Sequence, residues 1–204
     1  MSLRAKKAAL KREEILKSAI AVIAEKGYNG TTMEDIASRL LMTKGSLYYY
    51  FKDKQDIAFE IQLKLLNKSL DNFKIVNKMK ANADKKLIKM IQLHTKDLVY
   101  NKAGFNLMVK PEEIFTREQL DQIFRLREEY AVKYDVLLKE GIEDGSFDIE
   151  EDEIKIVRNL LLGALNWMFQ WHSSDGEKGI EDFTQIITKY IFRIVKPELS
   201  SVTH

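Results

Sequence analysis

The chain has 204 residues, 33 Lys/Arg against 31 Asp/Glu, a formal net charge of +2 and 45% hydrophobic residues, the balance of a globular protein able to bury a core. It has no cysteine, which excludes disulfides and thiolate metal centres, and no apolar run long enough to span a bilayer, so no membrane partner is expected. The N-terminal stretch MSLRAKKAALKREE is too polar for a secretory signal, and the cytoplasm is the expected compartment.

The small net charge hides an asymmetry. Residues 1–56 carry 11 Lys/Arg against 7 Asp/Glu, and the remainder 22 against 24. A basic N-terminal segment on a near-neutral body points to an anionic partner or to a solvated basic tail. Two prolines and nine glycines leave few breaks, and the apolar period is 3.6 throughout, so the fold class is all-α.

The first helix is predicted from about Lys11 to Lys26, with Leu16, Ala19, Ile20 and Ile23 as its apolar stripe and Gly27 at its end. Thr32 offers an N-cap with Asp35 three residues on. The second helix then carries Met33, Ile36, Ala37 and Leu40 on one face. After a break at Leu41–Thr43 comes a short third helix from Lys44 to about Phe51. A fourth, capped by Asp53, runs to about Lys78, and a fifth spans Ala83 to Tyr100. An irregular stretch lies around Gly104 to Pro111. Thr116 with Gln119 then opens a long helix ending near Gly145. The acidic run Glu150–Glu153 suits the positive end of a helix reaching about His172, and a last helix covers Ile180 to Val195 before Pro197.

The second and third helices have the make-up of a helix-turn-helix. Ala37 is small enough for a helix crossing, and Ile36, Leu40, Leu47 and Phe51 bind the pair together. Leu47 and Phe51, four apart, share the inward face. This leaves Lys44, Gly45, Ser46, Tyr48 and Tyr49 for DNA. Lys44 suits a guanine edge or a phosphate. Gly45 lets the backbone come close to a base. Thr32, Thr43 and Lys54 stand at helix starts, where phosphates bind. Lys6, Lys7, Lys11 and Arg12 read as a flexible arm along the DNA backbone.

The stretch TTMEDIASRLLMTKGSLYYYFKDKQDIAFEI resembles the N-terminal signature of the tetracycline-repressor (TetR) family. The match is carried by Thr32, Asp35, Ile36, Ala37, the run from Lys44 to Phe51, and Lys54, with Gly27–Tyr28 at the same spacing before them. It departs at Leu41-Met42, where the family commonly has Gly-Val. The resemblance implies a three-helix DNA-binding domain over residues 1–52 and a larger helical effector-binding and dimerisation domain over 53–204. It also implies operator DNA as partner, a homodimer, and repression.

The second half holds no G-x-S-x-G, phosphate loop or H-E-x-x-H. His94, His172 and His204 are scattered along the chain. No enzyme activity, cofactor or metal is therefore expected. Two apolar patterns stand out. Val157, Leu161 and Leu165 on one helix, with Phe183 and Ile187 on the next, fit a four-helix interface between two chains or an ordinary core. The run NWMFQWHSSDG puts Trp167 and Trp171 on one helix face. With Asn166 and Gln170, and with Phe105, Met108, Phe124, Tyr130 and Tyr134 from earlier segments, these residues fit a pocket for a lipophilic effector or core packing.

Three further stretches also resemble a TetR branch that senses acyl-CoA esters: R-L-R-E-E-Y ending at Tyr130, the G-x-F-D turn from Gly145, and L-L-G-A-L-N-W-x-x-x-W ending at Trp171, followed by Asp175-Gly176. This implies an acyl-CoA effector held in a tunnel, with Arg125 and Arg127 as candidates for its phosphates. The alternative within the family is a multidrug-efflux regulator whose aromatic pocket takes lipophilic drugs.

Overall fold

The computed structural model describes residues 2–107, 109–171 and 179–196, with the side chain of Phe169 excepted. Met108, His172, Asp175-Gly176, Pro197 and His204 lie outside the described residues. Among the described residues there is no strand. The α-helices in chain order are α1 (Leu3–Gly30), α2 (Met33–Arg39), α3 (Lys44–Tyr48), α4 (Lys54–Val76), α5 (Ala83–Tyr100), α6 (Lys102–Asn106), α7 (Arg117–Glu143), α8 (Ile154–Trp171) and α9 (Ile180–Phe192). Among them no helix is long and apolar enough to cross a membrane.

The chain forms two compact units, Met1–Leu65 with Asn101–Phe124, and Leu66–Tyr100 with Arg125–His204. The boundary expected after residue 52 falls inside the first, just before α4. Helices α4 and α7 each contribute residues to both.

In the first unit α1 packs on α2 and α6, and α2 on α3. Its core is Ile15, Leu16, Ala19, Val22 and Ile23 from α1, Ile36 and Ala37 from α2, Leu47 and Phe51 around α3, and Ile57 and Ile61 from α4. These positions repeat at helical spacing, so each helix buries one stripe. The first helix begins at Leu3, eight residues before the expected start. Ser2 caps it, its side chain accepting from the Ala5 N–H at 3.2 Å, and Ala5, Ala8, Ala9 and Leu10 are strong helix formers. Gly27, with φ 70°, breaks the helical path near the end. At this angle a β-carbon would be strained.

In the second unit α5 packs against α8 and α9. The carboxylate of Asp144 accepts from the Ala83 N–H at 2.8 Å and caps α5. The G-x-F-D turn has a visible purpose. Gly145 takes φ 73°. Phe147 folds back on Gly141, where a β-carbon would lie 1.9 Å from the ring. The Asp148 N–H donates to the Val195 carbonyl at 2.8 Å.

Candidate nucleic-acid interface

The capping box at α2 forms as its sequence implies. The Asp35 N–H donates to the Thr32 hydroxyl at 3.1 Å, and the Thr32 N–H to the Asp35 carboxylate at 2.9 Å. The Lys26 ammonium, 2.6 Å away, and Thr32 together hold the Asp35 carboxyl down at about 2. Arg39 reaches Glu25 at 2.5 Å, so both ends of α2 are tied to α1. In the turn that follows, Leu41 takes φ 53° and is 98% exposed. This is the position where the family commonly has glycine, and the left-handed backbone explains why.

Thr43 caps α3, accepting from the Ser46 N–H at 3.1 Å, and the two hydroxyls meet at 2.8 Å. Leu47 and Phe51 are buried and hold α3 by its inner face. Lys44, Gly45, Ser46, Tyr48 and Tyr49 are all exposed, and Lys44 has no ion pair. A β-carbon on Gly45 would meet no protein atom within 4 Å. The space beside this glycine therefore lies outside the fold, not in its packing.

Lys54 has partners within the protein. Its Nζ donates to the Tyr28 carbonyl at 2.7 Å and sits 4.4 Å from the centroid of the Tyr28 ring. There it meets the negative end of α1, and its burial lowers its pKa. Arg12 corrects the expected arm. It donates to the Tyr50 carbonyl and to Glu60, and its guanidinium lies 4.1 Å from the centroid of the Phe51 ring. It is a bolt between α1, α4 and the end of α3, and Lys6, Lys7 and Lys11 lie on a formed helix. One Arg among several basic residues gives no sequence sign of such a role.

The candidate effector residues divide between the units. Phe105 is buried and Phe124 exposed in the first. In the second, Tyr130 and Tyr134 are buried on α7, their hydroxyls 3.5 Å apart, with the Phe73 ring edge-on to both. His94 Nδ1 lies 3.0 Å from the Tyr130 hydroxyl. Nearby on α5, Asp97 accepts from Asn72 at 2.8 Å and pairs with Lys68. Burial pushes His94 down to about 4, Tyr134 up to about 12, and Tyr130 up as well. Sequence does not single out Asn72 and Asp97, because residues 25 apart on two helices share no periodic signal.

Two expectations on α8 are corrected. Val157, Leu161 and Leu165, assigned to a seam between chains, are 7%, 0% and 0% exposed and belong to the core. Trp167 and Trp171, assigned to an enclosed pocket, are 60% and 56% exposed, and Asn166 and Gln170 are exposed beside them. Trp171 stacks edge-on to Phe183, itself half-buried like Ile187. Ile156 and Leu160 on α8, and Ile186 and Tyr190 on α9, are exposed as well.

Family models match both parts of the chain: "Bacterial regulatory proteins, tetR family" over residues 15–61, and "Tetracyclin repressor-like, C-terminal domain" over residues 80–195, more than half the chain. The chain is 27% identical over 157 residues to the Fatty acid metabolism regulator protein of Bacillus subtilis, covering 75% of this chain and 78% of that one. It is 39% identical over 71 residues to the icaADBC negative transcriptional regulator IcaR of Staphylococcus aureus, a match spanning 35% of this chain and 38% of that protein. Among solved structures it is similar in fold to AibR in complex with isovaleryl coenzyme A and operator DNA, with TM-score 0.75 and 20% identity over 89% of this chain and 97% of that one. By these matches, and by the helix-turn-helix that α2 and α3 form, the chain belongs to the TetR family of DNA-binding transcriptional regulators.

Proposed function

We propose that the chain is a homodimeric repressor that reads operator DNA with the outer face of α3 and is released when a long-chain acyl-CoA binds. The observation that carries the DNA reading is the composition of that face. Lys44 is exposed and unpaired, Gly45 leaves open space beside it, and Tyr48 and Tyr49 present hydroxyls and ring faces. A lysine suits guanine O6/N7, and tyrosines suit phosphates and thymine methyls. Ser46 lies on the same face, and Thr32, Thr43 and Lys54 stand at helix starts, where backbone phosphates would be held.

The homodimer rests on the apolar surface of α8 and α9. Six large apolar side chains, each at least 37% exposed, lie on those helices, which a second copy would cover by two-fold symmetry. The effector rests on the relationship to a fatty acid metabolism regulator, and the same fold holds a coenzyme A ester together with operator DNA in AibR. The continuous helix α4 would carry the signal. Its first turn is anchored to α1 by Lys54, and Arg12 grips Glu60 two turns later. A ligand that prefers an α4 position incompatible with two adjacent major grooves would lower operator affinity by the ratio of its affinities for the two states.

The test is operator binding by the full chain during titration with acyl-CoA esters. Release is expected to strengthen with chain length, by about 0.8 kcal/mol for each methylene buried, and free coenzyme A to be far weaker. Operator binding indifferent to every ester would remove the effector. Release by planar cationic drugs instead would put a multidrug-efflux regulator in its place.

A further inference from the structure

Within the first unit, the inward face of α4 is apolar except at one position. Ile57, Ala58, Ile61 and Leu65 are buried there, and Gln62, beside them, is 0% exposed. Its Nε2 donates to the Gly104 carbonyl of α6 at 2.7 Å. That carbonyl can only accept, so the bond fixes which way round the amide sits. Oε1 is then left buried, with no hydrogen-bond partner among the described residues. Buried amide oxygens are nearly always paired, and an unpaired one lowers stability. A methionine would fill the same place with no such oxygen to satisfy. A local rule broken inside a well-packed core is where a functional contact is expected.

The helix that meets Gln62 is a short one. α6 is five residues long and has no side-chain cap. Its Gly104 lies directly on α4, where a β-carbon would come within 2.6 Å of Leu65 Cδ1 and 3.4 Å of Ile61 Cγ2. A helix of this length is held by its packing and not by its own hydrogen bonds, so it can part from α4 while the longer helices stay formed.

We infer that Gln62 reads the linker of the effector: its Oε1 accepts an amide N–H from the arm that joins the thioester sulfur to the nucleotide in a coenzyme A ester. The inference rests on the acyl-CoA reading above and assigns to it a residue that packing alone does not explain. The acyl chain carries no donor, whereas the first amide of the arm stands two carbons from the sulfur. An ionised fatty acid could fill an apolar tunnel but would leave Oε1 unpaired. Oε1 is enclosed while α6 lies on α4, so the bond forms only after the two helices part. It then adds affinity to the effector-bound state alone, which is the differential that release of DNA requires.

The test is calorimetry on the full chain with two probes that differ in one group. S-dodecanoyl-N-acetylcysteamine keeps the amide without the nucleotide, and its analogue has an ester oxygen in place of the N–H. Dodecanoyl-CoA is titrated alongside. Wild type should bind the amide probe about tenfold more tightly than the ester probe, the worth of one hydrogen bond to an otherwise unpaired acceptor. Gln62→Met should bind the two probes alike, and dodecanoyl-CoA about tenfold more weakly than wild type does. Equal affinity of wild type for both probes, or for neither while dodecanoyl-CoA binds, would overturn the inference and leave the acyl-CoA reading intact. So would a Gln62→Met protein that keeps the preference for the amide. The comparison of probes on wild type stands whether or not Gln62→Met folds. If dodecanoyl-CoA itself does not bind, the acyl-CoA reading fails, and this inference with it.

Discussion

Truncating Trp167 to alanine separates the two faces of α8. Trp167 is 60% exposed. Of the roughly 250 Å² a tryptophan can bury, about 150 Å² then remains for a partner, worth about 4 kcal/mol at about 25 cal/mol per Å². Buried area converts only partly into affinity, so about half of that is expected per protomer. A two-fold interface counts it twice, which weakens the dimer by about 4 kcal/mol, on the order of 1000-fold in its dissociation constant. Sedimentation across a range of protein concentrations reads this directly. Leu161→Ala is the control. Leu161 is wholly buried within the chain, so its truncation should lower unfolding stability by about 2–5 kcal/mol and alter association much less. The reasoning is refuted if Trp167→Ala dimerises like wild type, or if Leu161→Ala dissociates without losing stability.

Three further outcomes are expected. Gly45→Ala should raise unfolding stability by up to about 1 kcal/mol, since the added methyl meets no protein atom and alanine favours helix. It should nevertheless weaken operator binding in anisotropy titrations, and unchanged affinity would show that no base approaches there. Leu41→Gly should stabilise the chain by about 1 kcal/mol in urea unfolding by relieving the left-handed backbone at φ 53°, and a loss of stability would contradict that account. His94 stays neutral in the fold down to about pH 4, whereas in the unfolded chain it takes up a proton below 6.5. The unfolded state therefore binds more protons between those values. Stability should be full above pH 6.5 and fall by up to about 3 kcal/mol as pH descends to 4, and the fall should be smaller in His94→Gln if His94 causes it.

The N-terminal half is legible in sequence because its signals are local. Thr32–Asp35, Thr43, and the pair Leu47 and Phe51 fix caps and an inner face within four residues of one another. The outer face of α3 then follows by elimination. The start of α1 is harder to read, because a basic stretch looks like a solvated arm while its alanines and the Ser2 cap support helix. On α8, the stripe Val157–Leu161–Leu165 and the stripe Ile156–Leu160–Trp167 lie on neighbouring faces of one helix, and both are apolar. Periodicity identifies two stripes but cannot say which faces α5, because that depends on where the other helices pack. The polar cluster of Asn72, His94, Asp97 and Tyr130 likewise exists only through tertiary packing of α4, α5 and α7.

The central claim, that this chain reads DNA sequence through α3, is tested most directly by anisotropy titration of wild type and Lys44→Ala against a selected operator duplex and a scrambled duplex of equal length. Wild type should prefer the operator by orders of magnitude, and Lys44→Ala should lose roughly 1–3 kcal/mol on the operator with little change on the scrambled duplex. Equal losses on both duplexes, or no loss on either, would contradict the placement of Lys44 at a base edge and the account built on it.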